Sequence, residues 1–444
     1  MKSADQARAL VEDVVARAHR AGADAADAGF STHAALDVSV RLGALEDVGR
    51  SETSDLGLRV FCGRRNASVS SSDLASAALD ALVDRAIRMA REAPEDQWAG
   101  LAPADRLLRG APPQLDLADR VDPTPEALKA LALEAEDAAR AVAGVTNSEG
   151  AGAGAARAVS AIATSHGFSG AYELTRYGLH ASVLAGTSGA MERDSAHHSA
   201  RHAAALESPA AIGARAGERA VARLNPGRLK SGAMPVVFDR RISGNLLGHL
   251  LGAISGGAIT RRTSFLLDRL GSRVFARGVD IADDPHRPRG LRSRPYDGEG
   301  LPVSPTVIVA DGMLETWLLD SAAARQLGLE ATGHAVRGGG VAASNLAMAA
   351  GKIPRDTLIG EIEHGVLVTE LIGQGVNLTT GDYSRGASGF LIEGGEIVAP
   401  VAEFTIAGNL KDMFASLTPA SDLAYRYGVD APTVRLEGMT VASG

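Results

Sequence analysis

The sequence predicts an α+β fold: an N-terminal domain of helices packed on an antiparallel sheet, followed by a strand-rich, barrel-like C-terminal domain. Three observations predict it. Helical patterns at 5–18 and 73–91 flank several alternating, strand-like segments. A second run of strand-like segments, 147–191, also lies between helical patterns. Beyond residue 231 the chain is strand-rich, with short apolar runs and two-residue turn signals.

Asp5 can cap a first helix whose Leu10, Val11, Val14, Val15 and Ala18 share one face. Leu36, Val38, Val40 and Leu42 alternate, as do Leu58, Val60 and Cys62. Gly63 to Asn66 supplies a turn before a strand through Ser70. Asp73 is expected to start a second helix reaching about Arg91. Six prolines between 93 and 125 mark a connection. Pro125 suits the first turn of a helix to about Val142. Polar strand-like segments run from Asn147 to Met191. A helix from about Ser208 to Leu224 stops at Asn225-Pro226-Gly227. Met234 to Phe238 reads as a short apolar strand. Asp311-Gly312 is a hairpin signal, and Gly394-Gly395 turns a second hairpin between Phe390 and Val398. The breaks suggest units at 1–105, 106–230 and 231–444.

The composition supports a globular protein. Of 444 residues, 45 % are hydrophobic and 22 % charged, close to globular averages. Aromatics are only 4 %, so the core must be mainly aliphatic. The 51 glycines imply many positions with positive φ or close backbone approach. The net charge of −8 argues against a general nucleic-acid binder, which needs basic patches to displace counterions. The single cysteine, Cys62, excludes an internal disulfide and any multi-cysteine metal site, and it fits a reducing compartment. The first helical segment carries acids and does not read as a secretory signal. No apolar run reaches the ~18 residues of a membrane span. The cytoplasm is the expected location.

Several familiar chemistries fail on inspection. Gly373-Gln374-Gly375 begins like a dinucleotide fingerprint, but the third glycine position is Leu378. Ser169, Ser188 and Ser388 each follow a Gly-x pair, yet none has glycine two residues later, as a nucleophile elbow needs. His197, His198 and His202 form the densest histidine cluster. On a helix His198 and His202 would share a face, but Ser199 stands where a metalloprotease glutamate belongs and no third ligand is nearby. The plainer reading is a solvated segment after a strand.

The segment Phe238 to Ile259 is the most informative. At about 100° per residue Leu246, Leu247, Leu250, Leu251 and Ile254 form an apolar face. Gly248, Gly252 and Gly256 fall opposite, with His249 and Asn245 among them. Each interior glycine costs roughly 1 kcal/mol relative to alanine. Three on one face suggest close approach by another element, a substrate or a partner. Tight packing within the domain would also explain them.

LLGHLLGAISGGAI (246–259), SFLLDRLG (264–271), SRPYDGEG (293–300), VTELIGQGVN (368–377), TTGDYSRGASGF (379–390) and TIAGNLKDMF (405–414) carry a resemblance. On these stretches the chain is similar to the TldD/TldE (PmbA) family, and most to its TldE/PmbA branch. The resemblance implies a cytoplasmic heterodimeric peptidase. Its TldD subunit bears HExxxH on this helix and a further cysteine ligand for zinc, and its TldE subunit lacks the metal site. Carried over, the motif places its first His on Gly248, its Glu on His249 and its last His on Ala253, and no cysteine follows Ser421. No cofactor is therefore expected in this chain, and zinc is expected in a TldD-like partner subunit. Unfolded or extended peptides are the implied substrate, with no nucleic-acid or membrane partner and a possible homodimer when unpartnered. Strand addition could hold such a peptide. The resemblance further suggests roles in peptide-antibiotic maturation and peptide turnover.

Candidate cavity or interface residues are Gly248, His249, Gly252, Asp382, Tyr383 and Arg385. The last three lie in Gly381–Gly386, read as a polar loop with an internal Asp–Arg pair as its plainer explanation. Two other readings compete: a self-sufficient homodimeric hydrolase using His249, Asp382 or Arg385, and a non-enzymatic peptide-binding modulator.

Overall fold

The computed structural model describes residues 1–187 and 189–443. Ser188, one of the serines weighed as a nucleophile, lies outside the described residues.

Ser3, not Asp5, caps the first helix, α1 (Ala4–Arg20). The Ser3 hydroxyl accepts from the Gln6 amide at 3.3 Å, and the Gln6 side chain accepts from the Ser3 amide at 3.0 Å. Asp5 sits in the first turn, where a carboxylate favours the helix dipole. Strands β1 (Ala25–Arg41), β2 (Ala44–Cys62) and β3 (Arg65–Ser71) follow, then α2 (Ser76–Glu92). The helix begins three residues after Asp73 because that carboxylate accepts from the Ala75 amide at 2.9 Å, making a turn first. The proline-marked stretch 93–124 holds neither helix nor strand. Thr124 caps α3 (Pro125–Arg140). Then come β4 (Val145–Thr164), β5 (Ser169–Ala185), β6 (Glu192–Ala200) and α4 (Pro209–Ala222), capped by Ser208.

These six strands form one antiparallel sheet in the order β3-β2-β1-β4-β5-β6. The alternation of β4 decides which face is covered. Ala151 and Ala153 pack under α3 and α4, and Val159, Ala161 and Ala163 under α1 and α2. All are odd-numbered, so the four helices share one face. The even positions Gly152, Gly154 and Ala156 face the other way.

Leu42 does not end a strand. At φ 53°, beside Gly43 at φ 79°, it forms the two-residue turn from β1 to β2. The fully buried Glu136 of α3 accepts from both turn amides, at 2.7 and 2.8 Å, and from the Ser148 hydroxyl. Burial works against its ionisation, but these donors win and hold its carboxyl below the usual range.

The remainder contributes β7 (Gly232–Phe238), α5 (Arg240–Ile254), α6 (Gly256–Thr260), β8 (Ile281–Asp283), β9 (Thr306–Ala310), β10 (Met313–Leu314), α7 (Ser321–Leu327), β11 (Leu346–Met348) and α8 (Arg355–Gly360). After them come β12 (His364–Ile372), β13 (Asp382–Glu393), β14 (Glu396–Asn409), α9 (Leu410–Ser416), β15 (Thr418–Pro419), β16 (Val429–Asp430) and β17 (Val434–Ser443). Strands β14-β13-β12-β7-β17 close into a five-stranded barrel, because Phe404–Ala407 of β14 pair with Thr440–Ser443 of β17. The barrel-like C-terminal domain expected from the sequence is thus present. Both hairpin turns form as expected, with positive φ at Asp311-Gly312 and Gly394-Gly395. The short strands β10-β9-β8-β11-β16 make a second sheet beside the barrel.

Arg337, from the segment after α7, reaches into the N-terminal sheet. Its Nη2 donates to the Gly57 carbonyl at 2.7 Å and lies 3.2 Å from the Asp27 carboxylate. A Cβ at Gly29 would sit 2.3 Å from Arg337 Cδ, so the strand is glycine where the arginine crosses it. No described helix is long and apolar enough to cross a membrane.

Candidate functional site

Asp239 caps α5 by accepting from the Arg241 amide at 3.0 Å. Leu246, Leu247, Leu250, Ala253 and Ile254 then bury against the barrel core. Leu251, expected on that face, is only half-buried. The three glycines do not share one helix face. The helix ends at Ile254, and Ser255, at ψ 137°, caps α6 through the Ala258 amide. Gly256 therefore belongs to α6, where a Cβ would meet the Ala323 methyl at 2.6 Å. Gly252 packs on Leu378, whose Cδ1 would be 2.8 Å from a Cβ. Gly248 is exposed, with nothing within 4 Å of a Cβ position.

The segment Gly381–Gly386 is not a loop. Asp382 pairs with Asn409 and Arg385 with Ile406, which makes it the start of β13. Its alternation sends Tyr383 and Arg385 inward and Asp382 and Ser384 outward. No Asp382–Arg385 pair forms, since residues three apart on a strand point to opposite faces. The Asp382 carboxylate instead accepts from the Thr380 hydroxyl at 2.6 Å and the Asn409 amide at 3.1 Å. These bonds hold its carboxyl below the usual range.

The structure brings His249, Tyr383 and Arg385 together. The His249 and Tyr383 rings meet edge to face with centroids 5.9 Å apart. Burial, and then the Arg385 guanidinium, push the His249 imidazole below its ordinary range. Burial raises the Tyr383 phenol, against the opposing pull of Arg385. His249 Nε2, Tyr383 Oη and Arg385 Nε are buried without hydrogen-bond partners, and Arg385 makes no ion pair among the described residues. A neutral imidazole, a neutral phenol and a cation with spare donors can engage a carbonyl or an anion.

The histidine cluster resolves differently from a helical pair. His197 and His198 are on β6, so their side chains leave opposite faces. His198 Nδ1 accepts from the Glu207 amide at 3.1 Å, and His202 lies 3.2 Å from Asp116. Ser169 donates to Glu12 at 2.6 Å and Ser388 to Glu370 at 2.9 Å, with no histidine base bonded to either. Sequence reasoning passed over Arg157, Arg176, Arg201 and Arg292, which line one cavity. They come from separate segments and share no spacing.

Models of the PmbA/TldA metallopeptidase match three segments: domain 1 at 26–90, the central domain at 118–224 and the C-terminal domain at 231–443. Metalloprotease PmbA of Escherichia coli O157:H7 is 38 % identical over 98 % of this chain and 96 % of its own length. The chain belongs to the PmbA/TldD metallopeptidase family. The PmbA homologue of Haemophilus influenzae is 37 % identical over 98 % of the chain and 96 % of its own length. A TldD homologue from the same organism is 27 % identical over 46 % of this chain and 44 % of its own. Among solved structures, a candidate modulator of DNA gyrase from Bacteroides thetaiotaomicron superposes with a TM-score of 0.92 at 26 % identity, covering both chains completely. TldE of Thermococcus kodakarensis gives a TM-score of 0.86 at 20 % identity over 98 % of this chain and 100 % of that one, which shows a shared fold.

A metallopeptidase family raises the question of a metal on α5. The residues present do not fit one. Position 248 has no side chain, and Ala253 points into the core at 0 % exposure. His249 is the lone ligating side chain on that helix, and the Arg385 cation beside it opposes a second cation. Among the described residues no group of three or more His, Cys, Asp or Glu side chains could hold a metal.

Proposed function

We propose that this chain is the metal-free subunit of a two-subunit metallopeptidase that acts on unfolded or extended peptides in the cytoplasm, beside a TldD-like partner carrying the zinc. One observation carries the reading. On α5 the family's ligand positions are an exposed glycine and a core alanine, while the His249 ring packs on Tyr383 beside the Arg385 cation. A PmbA homologue and a TldD homologue occur together in Haemophilus influenzae, which supports a paired system. The chain would contribute walls and hydrogen-bonding groups to a shared cavity, not the nucleophilic water.

Metal analysis and a peptidase assay test this. The purified chain is expected to bind no stoichiometric zinc and to cleave nothing alone. With a TldD-like partner it should restore chelator-sensitive cleavage of unstructured peptides. Zinc retained by this chain, or cleavage without a partner, would overturn the proposal.

A further inference from the structure

The face of the six-stranded sheet that the helices leave open is grooved, and one end of the groove is bounded by Leu291, Arg292 and Tyr427 of the C-terminal domain. One part of it, about 490 Å³, has a floor of small residues: Gly152, Gly154 and Ala156 of β4 and Gly178 of β5. The His180 ring lies over Gly152 and the Asp37 carboxylate over Gly154, each where a Cβ would collide. An adjoining cavity of about 410 Å³ shares His33, Ala156 and Arg176 with the first. Four arginines line it, Arg157, Arg176, Arg201 and Arg292, and no carboxylate does.

The charges there are poorly compensated. Arg157 reaches Glu173 at 3.7 Å. Arg176 donates to the Ser199 hydroxyl at 3.0 Å and makes no ion pair among the described residues. Arg201 is 7 % exposed and held by the carbonyls of Thr175, Gly290 and Leu291, so its charge is neutralised by dipoles alone. Arg292 is exposed, carries no ion pair among the described residues, and packs its stem across Gly428. A chain of net charge −8 thus concentrates unpaired guanidinium groups at one end of a groove. Guanidinium forks match carboxylates geometrically, and low-dielectric walls strengthen the attraction.

We propose that this cavity binds a carboxylate of an extended peptide. The inference rests on the reading of the chain as a peptide-handling subunit. Arg176 and Arg292 supply the exposed forks, and Arg201 holds a fixed positive field behind them. The carboxylate is either the peptide's C-terminus or an acidic side chain, since both present the same group.

Fluorescence anisotropy with the full-length chain tests the assignment. A short labelled peptide is compared in forms with glutamate or glutamine side chains and with a free or amidated C-terminus. Carboxylate forms are expected to bind about tenfold more tightly than the fully neutral form, and the difference should shrink with added salt. The amidated and glutamine forms identify which carboxylate is read. An R176Q/R292Q variant, altered only at exposed positions, should keep its melting temperature and lose the preference. Equal affinity for all forms, no binding of any form, or an unchanged preference in the variant overturns the proposal. Restored cleavage with a TldD-like partner is a separate readout, so the subunit assignment can stand while the carboxylate site falls.

Discussion

His249 stands edge-on to Tyr383, 5.9 Å between ring centroids, and each carries a buried polar atom with no hydrogen-bond partner among the described residues. An unmade buried hydrogen bond costs about 1–3 kcal/mol, so such atoms are retained where something else meets them. Tyr383→Phe removes the orphan hydroxyl. We expect its melting temperature to hold or rise slightly, and cleavage by the reconstituted pair to fall severalfold. Unchanged cleavage would assign the pair to packing alone.

The two ligand positions of the family motif differ in what they can accept. Gly248 is open, so Gly248→His should alter stability by only a few tenths of a kcal/mol. Ala253 is fully buried, and Ala253→His must overpack the core and bury a polar ring, at a cost of about 3 kcal/mol or more. Denaturant titration of the two single variants checks the contrast. Similar midpoints would show that α5 can be refitted as a metal helix.

Glu136→Ala would leave the Leu42 and Gly43 amides and the Ser148 hydroxyl without their acceptor. A loss of about 1–3 kcal/mol is expected, with faster hydrogen exchange at the β1–β2 turn. Unaltered exchange there would mean the turn holds itself.

Much of the architecture was readable because it is local. Helices α1, α3 and α4 bury one stripe at helical period, and Pro125 and Ser208 mark where α3 and α4 begin. Asp311-Gly312 and Gly394-Gly395 carry their own turn chemistry. What escaped depends on distant residues. The Leu36–Leu42 alternation runs straight through a turn that a carboxylate at 136 stabilises. Gly381–Gly386 looks polar and irregular until Asn409 and its neighbours pair with it. The ligand positions of α5 could be read by resemblance, but the company of His249 could not, since Tyr383 and Arg385 arrive from a strand more than a hundred residues later.

Acid should destabilise the protein in two steps. Burial lowers His249, His180, His197 and His198 from the ordinary 6.5, so below that pH the unfolded chain holds more protons than the folded one. Stability then falls as pH drops through 6.5 towards the folded values. Glu207, held by Arg426 and Arg215 against burial, is pushed down from 4.5 to about 2. Its contribution is complete above 4.5 and vanishes as pH falls to about 2. Thermal melts across this range check both steps, and a flat profile between pH 7 and 5 would contradict the first.

Arg337→Met should loosen the contact between the N-terminal sheet and the segment after α7. Asp27 is 2 % exposed and keeps Arg59 at 2.6 Å, so the expected loss is moderate, about 1–3 kcal/mol. Limited proteolysis near residue 337 reports it, and equal cleavage rates in both proteins would refute the tie.

The barrel closes through β14 and β17, and it includes β7. A ribosome delivers β17 about 200 residues after β7, so β7 cannot be enclosed while the intervening chain is still being made. The six-stranded sheet is complete by residue 200 and can form during synthesis. The barrel can close only once β17 has been made, with its apolar strands open to solvent until then. That interval is when this chain is most exposed to aggregation and most dependent on chaperones.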